Sequence, residues 1–425
     1  MTQHVFVGFG FGPIQGGLFA KEAFQSGSFQ RIVLAEIDPQ LVDAVRANHG
    51  SYHVNVATAT GVETQKIENV QLLNPGEPAD HAALRTVLTD ATEIATCLPS
   101  VDFYCTGGSN SIAASIAEAF RTRQADSTIV YAAENNNHAA EILGEAIERE
   151  FRAPLSQRVQ FLNTVIGKMS RVVTDPDEIA ARDLAPIAPG LARAFLVEEF
   201  NRILVSRATI GGFTPGIRVF IEKDDLLPFE EAKLYGHNAI HALLGFLGAL
   251  KGYVSMTELQ SDDVLMRIAR DAFLKESGGA LVERYRTLGD PLFTESDYRY
   301  YADDLLERIT NPHLADTVAR AGRDALRKLG ATDRIFGTMS LALEYGIEPE
   351  NMALGALAGV VALLDGADEY EVPKDLCCRD WRRFDRDSLS GLLHWVWKDQ
   401  GPRSAEELIR YTWQARESLA DLAHP

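Results

Sequence analysis

Cysteine is scarce in this 425-residue sequence, basic residues are outnumbered, and no apolar run is long. The four cysteines are Cys97, Cys105, Cys377 and Cys378; none has C-x-x-C spacing, and adjacent cysteines such as the last two rarely bridge each other. A disulfide scaffold is therefore not expected, and reduced thiols of a cytoplasmic protein are. Lys and Arg number 41 against 60 Asp and Glu, a formal net charge of −19. That balance argues against nucleic acid or an anionic membrane surface as the main partner, because both attract basic faces. A small anionic substrate stays open, since a local basic pocket overrides a global field. The longest uncharged apolar run, 352–364, is well short of the roughly 20 residues of a membrane helix. No basic stretch followed by an apolar one opens the chain, so no secretory leader is expected. Internal repeats and low-complexity tracts are missing too.

What is present is ample material for a core, with 46% of residues hydrophobic, over a length that suits two or three domains. The first half alternates strand and helix signals. Residues 4–7 are mostly apolar and run into the cluster Gly8-Phe9-Gly10-Phe11-Gly12-Pro13-Ile14-Gln15-Gly16-Gly17. A helical stretch at 18–24, a strand at 31–38 ending on acids, and a helix at 39–48 follow, which together make a βαβ unit. Further strands are expected at 101–105 and 128–133, with a helix at 111–123 between them. Stretches 195–206 and 217–221 look extended and are expected to widen the sheet. The alternation predicts an α/β fold with a Rossmann-type, doubly wound parallel sheet. After residue 224 almost everything has helical period: 229–253, 262–276, 280–288, 298–310, 314–329, 333–345, 353–364, 389–398 and 405–423. Two domains are expected, 1–224 binding a nucleotide and 225–425 all helical.

Gly10-Phe11-Gly12 stands where a dinucleotide fold needs a tight turn and close backbone approach to a pyrophosphate, and the helix behind it offers free N–H groups. Gln15 occupies the place of the third glycine of G-x-G-x-x-G; Gly16 and Gly17, which follow at once, can supply the close helix packing. Glu36 closes the second strand, where an acid binds the adenosine ribose hydroxyls and repels the extra phosphate of NADP, which favours NAD as cofactor. Asp38 can share or take this role. Thr106 and Gly107, after the strand expected to end at Cys105, suit contact with the cofactor; a plain turn fits equally well.

The segment 229–241 opens the helical half and holds Glu230, Lys233, His237, Asn238 and His241. At about 100° per residue with Lys233 at zero, His237 falls near ~40°, Glu230 ~60°, His241 ~80° and Asn238 ~140°. One side of a helix thus carries a lysine, an acid, two histidines and an amide, ahead of the apolar continuation 242–247. Hydride transfer from an alcohol needs a base for the hydroxyl proton and donors aimed at the developing alkoxide. A lysine serves as that base when burial or nearby positive charge lowers its pKa. A solvated helix face is the plain alternative. His237 and His241, like His49 and His53, lie four apart, but there is no H-E-x-x-H and Lys233 repels a cation, so no metal is expected.

These residues resemble the polyol-specific long-chain dehydrogenases, the mannitol dehydrogenase family, whose signature K-x4-N-x2-H matches Lys233, Asn238 and His241. The resemblance implies that Lys233 is the catalytic base and that Asn238 and His241 hold the reacting oxygen. Ala133-Glu134-Asn135 is similar to the family's strand end bearing a second oxyanion asparagine, which implies that role for Asn135; Glu230, three before the lysine, matches an acid that serves proton movement in some members. Residues 322–329, Asp333-Arg334, 343–346, Asn311-Pro312 and 47–52 resemble the branch acting on mannitol 1-phosphate. The likeness runs from the glycine turn to about residue 365 and implies a Rossmann-type domain plus a helical domain, NAD, no zinc, and a polyol, polyol phosphate or uronate as substrate. Met169-Ser170-Arg171 departs from the family's V-D-R, and 361–365 lacks a basic or histidine residue that several members carry near the end of a late helix. Arg171, Arg323, Arg327, Lys328 and Arg334 are candidates for a substrate phosphate or carboxylate. The last four can instead pair with Asp324, Asp333 and Glu344. A hexuronate or other acidic-sugar reductase, and a non-catalytic NAD-binding protein, are the alternative readings.

Overall fold

The computed structural model describes residues 4–377, 380–398 and 401–423, so Cys378 lies outside the described residues. The chain divides into two compact units, Met1–Leu227 and Pro228–Pro425.

Among its described residues the first unit contains twelve strands: β1 (His4–Phe9), β2 (Phe29–Ala35), β3 (Tyr52–Ala57), β4 (Val62–Ile67), β5 (Val70–Leu73), β6 (Glu93–Thr96), β7 (Thr128–Ala132), β8 (Val159–Ile166), β9 (Ser170–Val173), β10 (Ala194–Glu198), β11 (Ile203–Ser206) and β12 (Phe220–Lys223). Eight of them form one sheet in the order β12-β11-β8-β7-β6-β1-β2-β5. Every pairing from β5 through β8 is parallel; β11 then runs antiparallel to β8, and β12 parallel to β11. Helices cover both faces, which is why β6 and β7 are buried at every residue instead of alternating. The strand order reverses beside β1, where an open α/β sheet places its ligand crevice.

A second sheet, β4-β3-β10-β9, packs against the helix that follows the glycine turn. Phe195 of β10, Tyr52 of β3 and Phe11 of the turn meet edge to face, with centroids 4.9 Å (Phe11–Tyr52) and 5.3 Å (Phe11–Phe195) apart. Such pairs add about 0.5–1.5 kcal/mol each beyond their buried area, so this cluster fixes the turn from below.

Several expectations need correction. Residues 101–105 are not a strand but a 3-10 helix, Val101–Cys105, capped by Ser100, whose hydroxyl accepts from the Asp102 N–H. The strand in that part of the sheet is the four-residue β6. The extended stretch 195–206 does not widen a single sheet, because β10 joins the small sheet and only β11 joins the large one. In the second unit, the helix expected over 314–329 is two short ones, Val318–Gly322 and Ala325–Lys328, separated by Asp324 in a left-handed conformation (φ +63°).

The second unit is helical. Ala239–Leu250 and Glu350–Asp365 are buried along most of their lengths and pack together with Val318–Gly322. The approach is close enough that a Cβ on Gly245 would stand 2.6 Å from the Ala321 carbonyl carbon. Among the described residues no helix is long and apolar enough to cross a membrane.

One charged group sits in the middle of the large sheet. Glu93 of β6 is fully buried and accepts from Tyr131 Oη (2.9 Å) and from the Gly216 N–H (2.5 Å). Burial pushes its carboxyl up to about 7, against the pull of those bonds. A carboxyl raised in the folded state contributes stability that is complete below the ordinary range and is lost as pH rises toward 7. The loss is at most about 3 kcal/mol. Glu93→Gln should flatten the fall in stability between pH 5 and 8 relative to the parent, as read by urea unfolding of the intact chain at each pH. Parallel curves for parent and variant would contradict this assignment.

Candidate active site

The segment opening the second unit is not a uniform α-helix. Leu227–Glu231 is α-helical, Ala232–Asn238 is a π-helix, and Ala239–Leu250 is α-helical again. The wide turn forms where Gly236 meets two aromatic rings: a Cβ there would lie 2.8 Å from Phe273 Cε2 and 3.0 Å from Tyr298 Oη. A π turn bonds residue i to i+5, so it is residue 238, not 237, that comes round over 233. The uniform 100° spacing therefore fails here, and Asn238 belongs on the Lys233 side rather than well away from it. Single π turns inside α-helices recur at functional sites.

Lys233 is half-buried, and its amine is lowered to about 8. Desolvation is the main cause; the Arg334 guanidinium pushes in the same direction and Glu230 opposes it. His237 is buried, and burial, followed by Arg308, His241, Lys233 and Arg334, holds its imidazole well below the usual range. It is a neutral ring beside a lysine that deprotonates readily. His241 lies one turn further on, with Nε2 2.8 Å from Asp316 Oδ2. Asp316 is buried, and its other oxygen accepts from Arg320 Nη1 (2.9 Å) and from the Thr317 N–H (2.9 Å). Burial alone would raise this carboxyl, but the bonds from His241 and Arg320 outweigh it and keep the group ionised.

The basic residues expected near a substrate anion divide. Arg334 is buried, pairs through Nε with Asp333 (2.8 Å), and exerts its charge on Lys233 and His237. Lys328 is buried against the Phe246 ring and donates to the Ala321 carbonyl; burial, then Arg334, lowers its amine to about 7. Arg327 is exposed and pairs with Asp324 and Asp333. Arg323 caps the end of Val318–Gly322 and adds to the field on Lys328. Arg171, on β9 of the first unit, is held by Glu178 in a two-pronged ion pair, so it is not a spare cation.

In the first unit the glycine turn is tight on one side and open on the other. Gly10 has φ +80°, and a Cβ on it would lie 2.8 Å from the Cys97 carbonyl oxygen. Gly12 meets nothing within 4 Å at that point, so backbone is open to a ligand there. Gly16 and the neighbouring Gly17 do supply close packing, with Cβ positions 2.7 Å from Phe195 and 2.6 Å from Val197; Tyr52 Oη also donates to the Gly16 carbonyl. Gln15 is fully buried, and neither amide atom has a partner among the described residues. Glu36 receives the Phe11 N–H (2.7 Å) on one oxygen and the Ile37 and Asp38 N–H groups on the other, at the rim of the turn. Asp38 is committed elsewhere, capping Pro39–Ala47 and pairing with Arg193 at 2.8 Å.

Thr106 and Gly107 are exposed but do not follow a strand; they link the 3-10 turn to the helix Ile112–Arg121, with Gly107 at φ +101°. The strand that ends nearby is β6, and its exit is tied down by Glu134. That buried carboxylate accepts from Thr96 Oγ1 (2.9 Å), the Leu98 N–H (2.9 Å) and Tyr104 Oη. Asn135, the next residue, is exposed on the loop after β7. Among the described residues no three His, Cys, Asp or Glu side chains are grouped to hold a metal ion. Sequence reasoning assigned no role to Asp316, Arg308 or His237. Asp316 is 75 positions from His241 and belongs to no periodic pattern, so only the fold reveals it.

Comparisons with known proteins agree with this architecture. Over its full length the chain superposes on D-sorbitol dehydrogenase in substrate-free form with TM-score 0.77 and 17% identity, covering 95% of that protein. It superposes on Pseudomonas fluorescens mannitol 2-dehydrogenase, solved as a ternary complex with NAD and D-mannitol, with TM-score 0.69 and 18% identity, across 99% of this chain and 93% of that one. At these identities the likeness establishes the fold: a Rossmann-type unit followed by a helical one. Residues 225–389, which carry Lys233, Asn238, His241 and Asp316, match the mannitol dehydrogenase C-terminal domain. The helical unit is thus similar to the C-terminal domain of mannitol dehydrogenases, and the chain as a whole shares the fold of the solved sorbitol and mannitol dehydrogenases.

Proposed function

We propose that this protein is an NAD-dependent oxidoreductase that interconverts a polyol and the matching keto-sugar, with Lys233 as general base and no metal. The observation that carries the reading is the Lys233 amine, lowered to about 8 on a π turn that brings Asn238 to its side, within a mannitol dehydrogenase C-terminal domain. In oxidation, Lys233 takes the hydroxyl proton while the carbon's hydrogen leaves with its electron pair; the cofactor supplies the hydride acceptor. Asn238 donates to the oxygen as charge develops on it, and Asn135 is assigned to the same oxygen. Glu230, which raises the Lys233 amine, suits a group that moves the proton onward. In reduction the Lys233 ammonium returns the proton.

Gly10, the open face of Gly12 and the Glu36 carboxylate at the rim of the turn fit a dinucleotide. Glu36 is the better candidate for the ribose hydroxyls, because Asp38 is engaged by Arg193 and by its helix. The orphaned Gln15 amide fits a water or ligand atom at the same turn. Thr106 and Gly107 remain candidates for contact with the cofactor.

A second reading, an anionic substrate such as a polyol phosphate or a uronate, is favoured by one observation: Lys328 and Arg334 are both buried, Arg334 acts on both Lys328 and Lys233, and the acid paired with Arg334 among the described residues is Asp333. A panel of hexitols, pentitols, their phosphates and uronates, assayed with NAD and NADP by NADH absorbance, separates the readings. Turnover of none of them, with NAD still bound, would leave a non-catalytic protein.

Lys233→Ala should lower kcat roughly 10²- to 10⁴-fold while NAD affinity, measured by fluorescence titration, stays unchanged; retained turnover sinks the assignment. Because the base must be unprotonated to accept a proton, oxidation should rise with pH through about 8, and reduction, which needs the ammonium, should fall across the same window. An oxidation profile flat from pH 6 to 9 would contradict Lys233 as the base.

A further inference from the structure

We propose that Asp316 is a positioning residue that fixes the tautomer of His241, so that Nδ1 is presented as a hydrogen-bond acceptor to a substrate hydroxyl next to the reacting carbon. The substrate part of this inference rests on the polyol reading given above. Asp316 has a side chain only 1% exposed and is anchored at one oxygen by Arg320 and the Thr317 N–H, which leaves the other aimed at His241 Nε2 at 2.8 Å. An ionised carboxylate only accepts hydrogen bonds. Nε2 must therefore carry the hydrogen, and in the neutral ring Nδ1 is then an acceptor. The contact with Asp316 is made through Nε2 and does not involve Nδ1.

The chemistry at the reacting carbon then limits what Nδ1 can meet. The reacting hydroxyl has one proton, and Lys233 takes it. In the keto form that oxygen has no proton at all. An acceptor nitrogen aimed at this oxygen would face lone pairs in both states. A polyol, unlike a simple secondary alcohol, has a hydroxyl on the adjacent carbon, and that group has a proton to give. His241 thereby reads the neighbouring hydroxyl, while Asn238 and the Lys233 ammonium serve the reacting oxygen. The pairing makes a polyol a better substrate than a monohydric alcohol through a group 75 residues from the ring it orients.

The test uses the full-length protein labelled with 15N-histidine. Two-bond 1H–15N spectra at pH 8 report the tautomer, and the His241 signals are identified by their loss in His241→Gln. The parent protein should show the Nε2–H tautomer. In Asp316→Asn, whose amide can also donate to Nε2, the ring should shift toward Nδ1–H. The same variant should lose roughly ten- to a hundredfold in kcat/KM for a polyol, keep its NAD affinity, and lose less for the analogue lacking the neighbouring hydroxyl. A Nδ1–H or doubly protonated ring in the parent overturns the proposal even if the variant fails to fold. So does an unchanged tautomer in Asp316→Asn, or an equal loss for the polyol and its deoxy analogue. The tautomer is read without turnover, so a protein that oxidises no polyol overturns the proposed function and the hydroxyl contact, while the role of Asp316 toward the ring is still decided by the spectrum.

Discussion

Taking an ammonium group out of water is the constraint around which the helical unit is arranged. Desolvation alone penalises the charged form of a buried lysine, and here a buried guanidinium, Arg334, adds repulsion from the same side. The two cations are not equivalent. Guanidinium stays protonated and is weakly hydrated, so it tolerates burial, whereas the ammonium responds by giving up its proton. Asp333 secures Arg334 by accepting its Nε–H, which lets the arginine act as a fixed charge. His237 is held neutral in the same neighbourhood and adds no further cation. Lys328 feels the same field. The result is two amines, Lys233 and Lys328, poised to exchange a proton near neutral pH beside a guanidinium and an imidazole that do not.

The first unit meets a different demand, that of leaving backbone open. Gly10 bends the chain over Cys97, Gly12 leaves its outer side clear, and Glu36 takes the N–H of the residue between them. Beneath, Phe11, Tyr52 and Phe195 lock the turn to the small sheet. A carboxylate that accepts three hydrogen bonds, Glu134, does the same for the exit of β6. In each case a buried contact fixes a loop whose outer face stays available.

Much of this was legible in the sequence, and the rest was not for identifiable reasons. The strand, glycine turn and acid of β1 and β2 carry strong local signals: an apolar run, a glycine cluster and a charged strand end. The helical second half announces itself by period. The short β6 does not, because four residues that include a buried glutamate show neither alternation nor apolar continuity. The apolar run at 101–105 looked like the strand instead, since nothing local shows that Tyr104 is turned inward to Glu134. Spacing groups Lys233, Asn238 and His241 on one side of a helix, and the resemblance in K-x4-N-x2-H is what singles them out. Their angular arrangement is not legible, because a π turn depends on the packing of Phe273 and Tyr298 against Gly236, which are distant in sequence. The partner that engages Asp38, Arg193, lies more than a hundred residues on, so no local signal separates Glu36 from Asp38.

The π turn also gives the segment one residue of slack. It holds one more residue per turn of hydrogen bonding than the helix on either side. Deleting a residue between Lys233 and Asn238 would let the chain relax into an unbroken α-helix, a gain in local regularity. Asn238 would then stand four places after Lys233 and still come round over it, so His241 and the apolar face of Ala239–Leu250 would keep their register. What would go is the wide turn itself, and with it the place where Gly236 lets Phe273 and Tyr298 approach the backbone beside the lysine.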